Sequence, residues 1–245
     1  MSNLPQVIIL YGPPAAGKGT QALKLRELLP DYYHLDFGTE LRKFVTDNLG
    51  DYNGLEETVN SDTDPKLVEI ARSLKADMST GPAKTEDLRF VVEKAFTDNI
   101  GAGRGMIVEG PGRLVEEAIW LSEFFATSNV EVAIFHLHLD LDEVIKRATT
   151  RYYVPDSPQP FKSYEEALKQ CTGDQLPFQR KDDKDSHSIA QRYKSLYSDH
   201  YAEIISIYQL RAKALVLTLN ADKPVIQVTQ DIHTYLDKFF GFKVG

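Results

Sequence analysis

The stretch Gly12-Pro13-Pro14-Ala15-Ala16-Gly17-Lys18-Gly19-Thr20 holds the residue types that grip a polyphosphate. Glycines let successive backbone N–H groups turn toward one anion, the dipole of a following helix adds positive potential, and a lysine reaches the outer phosphates. Lys18 is that lysine, and Gly12, Pro13, Ala15, Ala16, Gly17, Gly19 and Thr20 form the cradle around it. Gly19 stands where a Ser or Thr is usual, which leaves Thr20 as the nearest hydroxyl for a magnesium shell. The plain alternative is an ordinary glycine-rich turn, and Lys18 followed by Gly-Thr argues against it.

The cradle has meaning only between a strand and a helix. Val7-Ile8-Ile9-Leu10-Tyr11 is a nearly continuous apolar run, the pattern of a strand covered on both faces in a parallel sheet. From Gly19 to Leu29 the residues Ala22, Leu23, Leu25, Leu28 and Leu29 recur at helical spacing until Pro30 stops them. The unit recurs at Met106-Ile107-Val108, followed by Gly110-Pro111-Gly112 and a helix with Val115, Ala118, Ile119, Leu121 and Phe125 on its apolar side. Glu131 to Leu139 reads as a third strand and Leu141 to Arg151 as its helix. Leu215 to Leu219 reads as a last strand, with Val225, Val228, Ile232, Leu236 and Phe239 on a closing helix. This alternation predicts a doubly wound α/β fold with a parallel sheet flanked by helices and a ligand at the carboxyl ends of the strands.

Two stretches interrupt the rhythm. Residues 48–84 are polar and turn-rich around one short helix, Lys66 to Met78, and residues 152–185 hold Pro155, Pro158, Pro160 and Pro177 around another, Tyr164 to Cys171. Both read as insertions over a core made of residues 1–47, 85–151 and 186–245.

A chain of 245 residues with 42% apolar content is long enough for one large core. A net charge of −8 argues against nonspecific binding to nucleic acid or anionic lipid, so an anion must be held by a local positive cluster. Cys171 is the single cysteine, which excludes an intramolecular disulfide and a cysteine-rich zinc site. The apolar run at Val7 is too short for a signal or a membrane span. A cytoplasmic protein is expected, and no resident protein-bound metal.

Residues 12–21, Gly-Pro-Pro-Ala-Ala-Gly-Lys-Gly-Thr-Gln, closely resemble the phosphate loop of the adenylate kinases and related nucleoside monophosphate kinases. Further stretches agree in order. Phe37-Gly38-Thr39-Glu40-Leu41-Arg42 is similar to the family's Gly-x-x-Leu-Arg segment, which implies that Arg42 holds the acceptor's phosphate. Glu109-Gly110-Pro111-Gly112-Arg113 is similar to its Asp-Gly-Phe-Pro-Arg, which implies the same phosphate for Arg113 and the metal's water shell for Glu109. Arg147 and Arg151 match the arginine pair before the lid, and Arg180-Lys181-Asp182-Asp183 resembles the motif at its far edge. Arg192 matches the next arginine if one residue is inserted. The resemblance implies a monomeric enzyme that moves a phosphoryl group from ATP, with Mg2+, to AMP. It also makes residues 48–84 the monophosphate-binding insertion and residues 152–185 the lid. The lid's proline content suggests a cover without the family's usual small β-sheet.

The residues make a case without the family. Arg42, Arg113, Arg147, Arg151, Arg180 and Arg192 lie at strand ends, helix starts or loop edges around a phosphate loop in an acidic protein. Each alone could be a solvated charge, but together they match what phosphoryl transfer requires, which is alignment plus positive charge on the oxygens. Glu117 takes the place where the family often carries a glutamine that reads adenine, and a carboxylate only accepts hydrogen bonds. Phe37 either stacks on the acceptor's base or fills space. An acceptor of another base (CMP, UMP or GMP) and a nucleotide-binding module without transfer are the alternatives. His136 and His138, at strand spacing, read as a polar strand face, and Tyr193, Tyr197, Tyr201 and Tyr208 as the packed side of one long helix. Asp182 and Asp183 either orient lid arginines or form a solvated acidic turn.

Overall fold

The computed structural model describes residues 5–50, 57–80, 85–110, 112, 114–155, 160–179 and 183–241. The first strand, β1 (Val7–Tyr11), is buried along its whole length. Val7, Ile9 and Tyr11 enter one hydrophobic cluster and Ile8 and Leu10 another, so the run is apolar on both faces because both faces are covered. It leads through the phosphate loop into α1 (Lys18–Leu28). Then follow β2 (Tyr33–Asp36), α2 (Phe37–Leu49), α3 (Pro65–Thr80), α4 (Thr85–Gly101) and β3 (Met106–Glu109). The next elements are α5 (Val115–Thr127), β4 (Val132–His138) and α6 (Leu141–Thr150).

Beyond α6 lie β5 (Tyr152–Tyr153), β6 (Pro160–Phe161) and α7 (Tyr164–Leu168). The chain returns through α8 (Ser186–Tyr193), a π-helical turn at Lys194–Ser198, α9 (Tyr201–Arg211), β7 (Leu215–Asn220) and α10 (Val225–Phe240).

Five strands form one parallel sheet in the order β2-β3-β1-β4-β7. The chain moves to one side of β1 for β2 and β3 and to the other for β4 and β7. The carboxyl end of β1 is therefore the topological switch point, the crevice where open α/β sheets take ligands.

Helix α2 is capped by Asp36, whose Oδ1 accepts from the Thr39 N–H at 2.9 Å and the Thr39 hydroxyl at 2.6 Å. The apolar sides of α2 (Phe44, Val45, Leu49), α3 (Val68, Ala71, Leu74) and α4 (Leu88, Val92, Phe96) join the cluster on one sheet face. Burying a side chain such as Leu74 stabilises this packing by about 2 kcal/mol. The helix of the first insertion is thus anchored in the main core.

The second insertion differs from the sequence expectation. β5 and β6 pair antiparallel, and Tyr153 exchanges backbone hydrogen bonds with Phe178 at 2.7 and 2.9 Å, so a small β-sheet is present. Its strands are two residues long, and prolines such as Pro160 are tolerated in short edge pairs. The tyrosine stripe also departs from one long helix, because the π turn divides it. Among the described residues no helix is long and apolar enough to cross a membrane.

Candidate functional site

The cradle depends on backbone shapes that few residues adopt. Gly12 has φ 150°, and a Cβ there would strike the Leu137 carbonyl. Gly17, at φ 90°, caps α1 in the left-handed region, and Ala15 holds φ 60° against the ordinary preference of a residue with a side chain. Lys18 Nζ donates to the Gly12 carbonyl at 3.0 Å and the Pro13 carbonyl at 2.8 Å, so the ammonium lies over the loop from which the helix N–H groups emerge.

Glu109, the last residue of β3, faces this loop. Its Oε2 and Oε1 lie 3.5 and 3.7 Å from the position a Cβ on Gly19 would take. Its Oε1 is 2.8 Å from His34 Nε2 on β2, a contact between adjacent strands that nothing in the sequence announced.

Arg42 folds back over the first turn of α2, with Nη1 3.2 Å from a Cβ position on Gly38 and Nη2 donating to the Thr39 hydroxyl at 3.2 Å. Phe37 is 3% exposed and belongs to the core cluster, where its Cβ sits 3.0 Å from a Cβ position on Gly110. Of the two readings of Phe37, the structure gives the space-filling one, and stacking on a base is set aside because the ring is enclosed. Glu117 is buried near the start of α5, where its charge acts on the Tyr208 phenol. Burial, helped by Glu117 and Tyr11, pushes that phenol well above its ordinary 10.0. Arg113, Arg180 and Asp182 lie outside the described residues.

The remaining arginines separate into two groups. Arg151 grips Asp183 with two hydrogen bonds, Nε to Oδ2 at 2.8 Å and Nη2 to Oδ1 at 2.7 Å, and Arg192 Nη2 reaches Oδ1 at 3.2 Å. Asp183 is 0% exposed. Burial alone would raise its carboxyl pKa, and the two guanidinium groups more than reverse this, holding it below the ordinary 3.8. Of the two sequence readings of this residue, the solvated turn is replaced by a buried clamp joining α6 to α8.

Arg147, four residues before Arg151, turns elsewhere. Its Nε donates to Glu143 at 3.0 Å and its Nη2 to Asp222 at 3.4 Å. Glu143 and Asp222 line a cavity of about 290 Å³ together with His138, Leu139, Asp140, Thr218 and Asn220. This cavity sits where β4 and β7 end.

Beneath it lies a polar network that the sequence did not reveal, since alternation marked His136 and His138 only as sharing a face. The Tyr197 hydroxyl is 2.8 Å from both His136 Nε2 and His138 Nδ1, and His136 Nδ1 is 3.2 Å from the Thr218 hydroxyl. Burial, with the charge of His138 as the lesser cause, lowers the His136 pKa from 6.5 to about 4, so the ring is neutral. The π turn carries Tyr197, and its ring stacks on Tyr201 with centroids 5.0 Å apart.

The loop after β1, Glu109 at the end of β3 and the cavity at the ends of β4 and β7 thus lie at the carboxyl end of the same parallel sheet. That arrangement defines a P-loop phosphotransferase of the α/β class. No family model matches the chain. It is 30% identical over 230 residues to an adenylate kinase of Streptomyces avermitilis, covering 91% of this chain and 93% of that one. An adenylate kinase of Streptomyces coelicolor is 27% identical over 232 residues, with 91% and 94% covered, and one of Archaeoglobus fulgidus is 24% identical over 241 residues, with 94% and 98% covered. The chain belongs to the adenylate kinase family and is a nucleoside monophosphate kinase in type.

Proposed function

We propose that the protein transfers the terminal phosphoryl group of ATP reversibly to AMP, giving two ADP, as a cytoplasmic monomer. The observation that carries this reading is the phosphate loop at the end of the central strand, with Lys18 over it and the Glu109 carboxylate against the first turn of α1. In this reading the loop N–H groups and Lys18 hold the donor's β- and γ-phosphates. The donor's nucleoside lies in the cavity between β4 and β7, with Arg147 at its rim. Arg42 and Arg113 hold the acceptor's phosphate, and Gly38 and Gly110 let it approach the backbone. Arg151, Arg180 and Arg192 close on the transferring group.

The nucleophile is a phosphate oxygen, already ionised, so no general base is required and catalysis is alignment plus charge. The Asp183 clamp pre-orients two guanidinium forks that suit equatorial phosphate oxygens. Magnesium arriving with ATP would neutralise phosphate charge. The Thr20 hydroxyl and the Glu109 carboxylate, two oxygen donors beside the loop, suit the water shell of a hard cation. Residues 152–185 and 48–84 close over donor and acceptor to exclude water.

The buried Glu117, an acceptor only at neutral pH, favours a base edge rich in N–H groups and keeps CMP and GMP as second readings. A coupled assay decides: ATP and magnesium with AMP, CMP, UMP, GMP or no acceptor, following diphosphate formation. Diphosphate is expected fastest with AMP. Tight ATP binding without turnover on any acceptor would instead make the protein a nucleotide-binding module.

A further inference from the structure

Thr218 and His138 both line the cavity between β4 and β7, and both are ends of one hydrogen-bonded chain: His138 Nδ1, Tyr197 hydroxyl, His136 Nε2, His136 Nδ1, Thr218 hydroxyl. Each neutral imidazole carries one proton on one of two nitrogens, and each hydroxyl carries one. Tyr197 has a single proton to place between two ring nitrogens at 2.8 Å. When that proton goes to one of them, that nitrogen is bare and accepts it, and the other is an N–H donating to the phenol oxygen.

With the Tyr197 proton kept within the chain, two proton arrangements satisfy every link. In the first, both histidines are protonated on Nε2. Tyr197 then donates to His138 and accepts from His136, Thr218 donates to His136, and the cavity meets an N–H at His138 and an acceptor oxygen at Thr218. In the second, both are protonated on Nδ1, both hydroxyls have swung round, and the cavity meets a bare nitrogen at His138 and an O–H at Thr218. No net charge or proton is gained in passing between them.

The edge of a purine has the same two-way character. A 6-amino purine offers a donor at position 6 and an acceptor at N1, and a 6-oxo purine offers the reverse. We infer that the chain His138–Tyr197–His136–Thr218 is a reversible reader of the purine edge, so that the protein takes 6-amino and 6-oxo purine nucleoside triphosphates alike as phosphoryl donors. This rests on the donor nucleoside lying in the cavity, as proposed above. His138 and Thr218 are the specificity-determining contacts, and Tyr197 and His136 are positioning residues.

Burial keeps His136 uncharged, and the scheme applies to the state in which His138 is uncharged as well. Asp140, 3.5 Å from His138 Nε2, favours the first arrangement, but its side chain is 88% exposed and the bias is weak. The bound base is left to decide.

The test measures kcat/KM for ATP and for GTP with AMP as acceptor. A hydrogen-bonding site of fixed polarity rejects the wrong partner on the order of 10⁴-fold, whereas a reversible one keeps the two donors within about tenfold of each other. His136→Leu leaves the Tyr197 proton with His138 Nδ1 as its partner among the described residues, which uncouples His138 from Thr218 and favours His138 as a donor. The ATP-to-GTP ratio is then expected to move by about tenfold or more, mainly through KM. Thr218→Val, at the exposed end of the chain, is expected to move the ratio comparably and guards against a His136 variant that does not fold. Loss of packing alone would lower both donors equally and leave the ratio where it was.

ATP turnover with more than about thousandfold rejection of GTP, or a ratio unmoved in both variants, overturns the reversible reader and leaves the transferase reading standing. Wild-type protein inactive with every donor and acceptor overturns the transferase reading, and the reader with it.

Discussion

Asp183→Asn removes a charge from the buried point where two arginines meet while keeping the side chain's shape. The carboxylate accepts two bonds from Arg151 at 2.8 and 2.7 Å and one from Arg192 at 3.2 Å. An amide leaves one oxygen to accept and turns an N–H₂ toward a guanidinium N–H. Charge-assisted bonds of this kind contribute about 1.5–3 kcal/mol each, and removing one partner of a buried pair costs about 3–5 kcal/mol. Arg192 is 31% exposed, so water recovers part of its loss.

A destabilisation of about 3 kcal/mol follows, or a fall in Tm of roughly 6–12 °C for a chain of this size. Thermal unfolding at neutral pH measures it. The folded carboxyl sits below its ordinary 3.8, so its contribution is fully present above that value and is lost as pH falls through the folded pKa. The gap between wild type and variant should therefore be constant from neutral pH down to about 4 and narrow below it. A Tm within about 2 °C of wild type at neutral pH, or a gap that persists undiminished in strong acid, would refute the clamp.

Lys18→Ala and Arg113→Ala should each lower turnover by about a hundredfold or more, the scale of losing one transition-state contact; near-normal steady-state rates in both would discredit the assignment. His136, neutral in the fold with its pKa lowered from 6.5 to about 4, stabilises the protein above 6.5, and this is lost as pH falls from 6.5 toward 4. The full effect is roughly 3 kcal/mol, and urea midpoints measured across that window should slope less in His136→Leu than in wild type. Hydrogen exchange with a bisubstrate nucleotide analogue should slow in residues 48–84 and 152–185 relative to free protein, and equal exchange would remove the case for closure. Glu109→Gln should raise the magnesium concentration needed for half-maximal rate by about tenfold, with no change expected if the carboxylate only braces His34.

The core strands were legible because parallel strands buried on both faces leave unbroken apolar runs, as Val7–Tyr11 does. β2 was not, since Tyr33, His34 and Asp36 are only partly buried on a short edge strand and carry no such run. The two-residue strands β5 and β6 are too short for any periodicity to register. The phosphate loop was readable because its chemistry is local, set by glycine positions and one lysine over nine residues. The Arg151–Asp183 pairing and the Tyr197 bridge were harder to read, because each joins residues 32 or more positions apart, and the sequence offered the clamp only as one of two readings of Asp183. Spacing on one strand or helix says nothing of what a distant helix brings to it.

β1, the first strand made, sits in the middle of the sheet, where Val7 lies beside Met106 on one side and Val132 on the other. At about 5–20 residues per second during synthesis, its nearer partner reaches the ribosome exit roughly 5–20 s later. Through that interval five apolar residues lack both flanking strands, and α1 and the elements after it cover them only in part, leaving a sticky segment that a chaperone or the growing chain itself must shelter. Gly12 packs against the Leu137 carbonyl, so the grip on nucleotide is also completed only after the second half of the chain has begun to appear. Prematurely ended chains would thus carry the whole binding motif and hold no nucleotide.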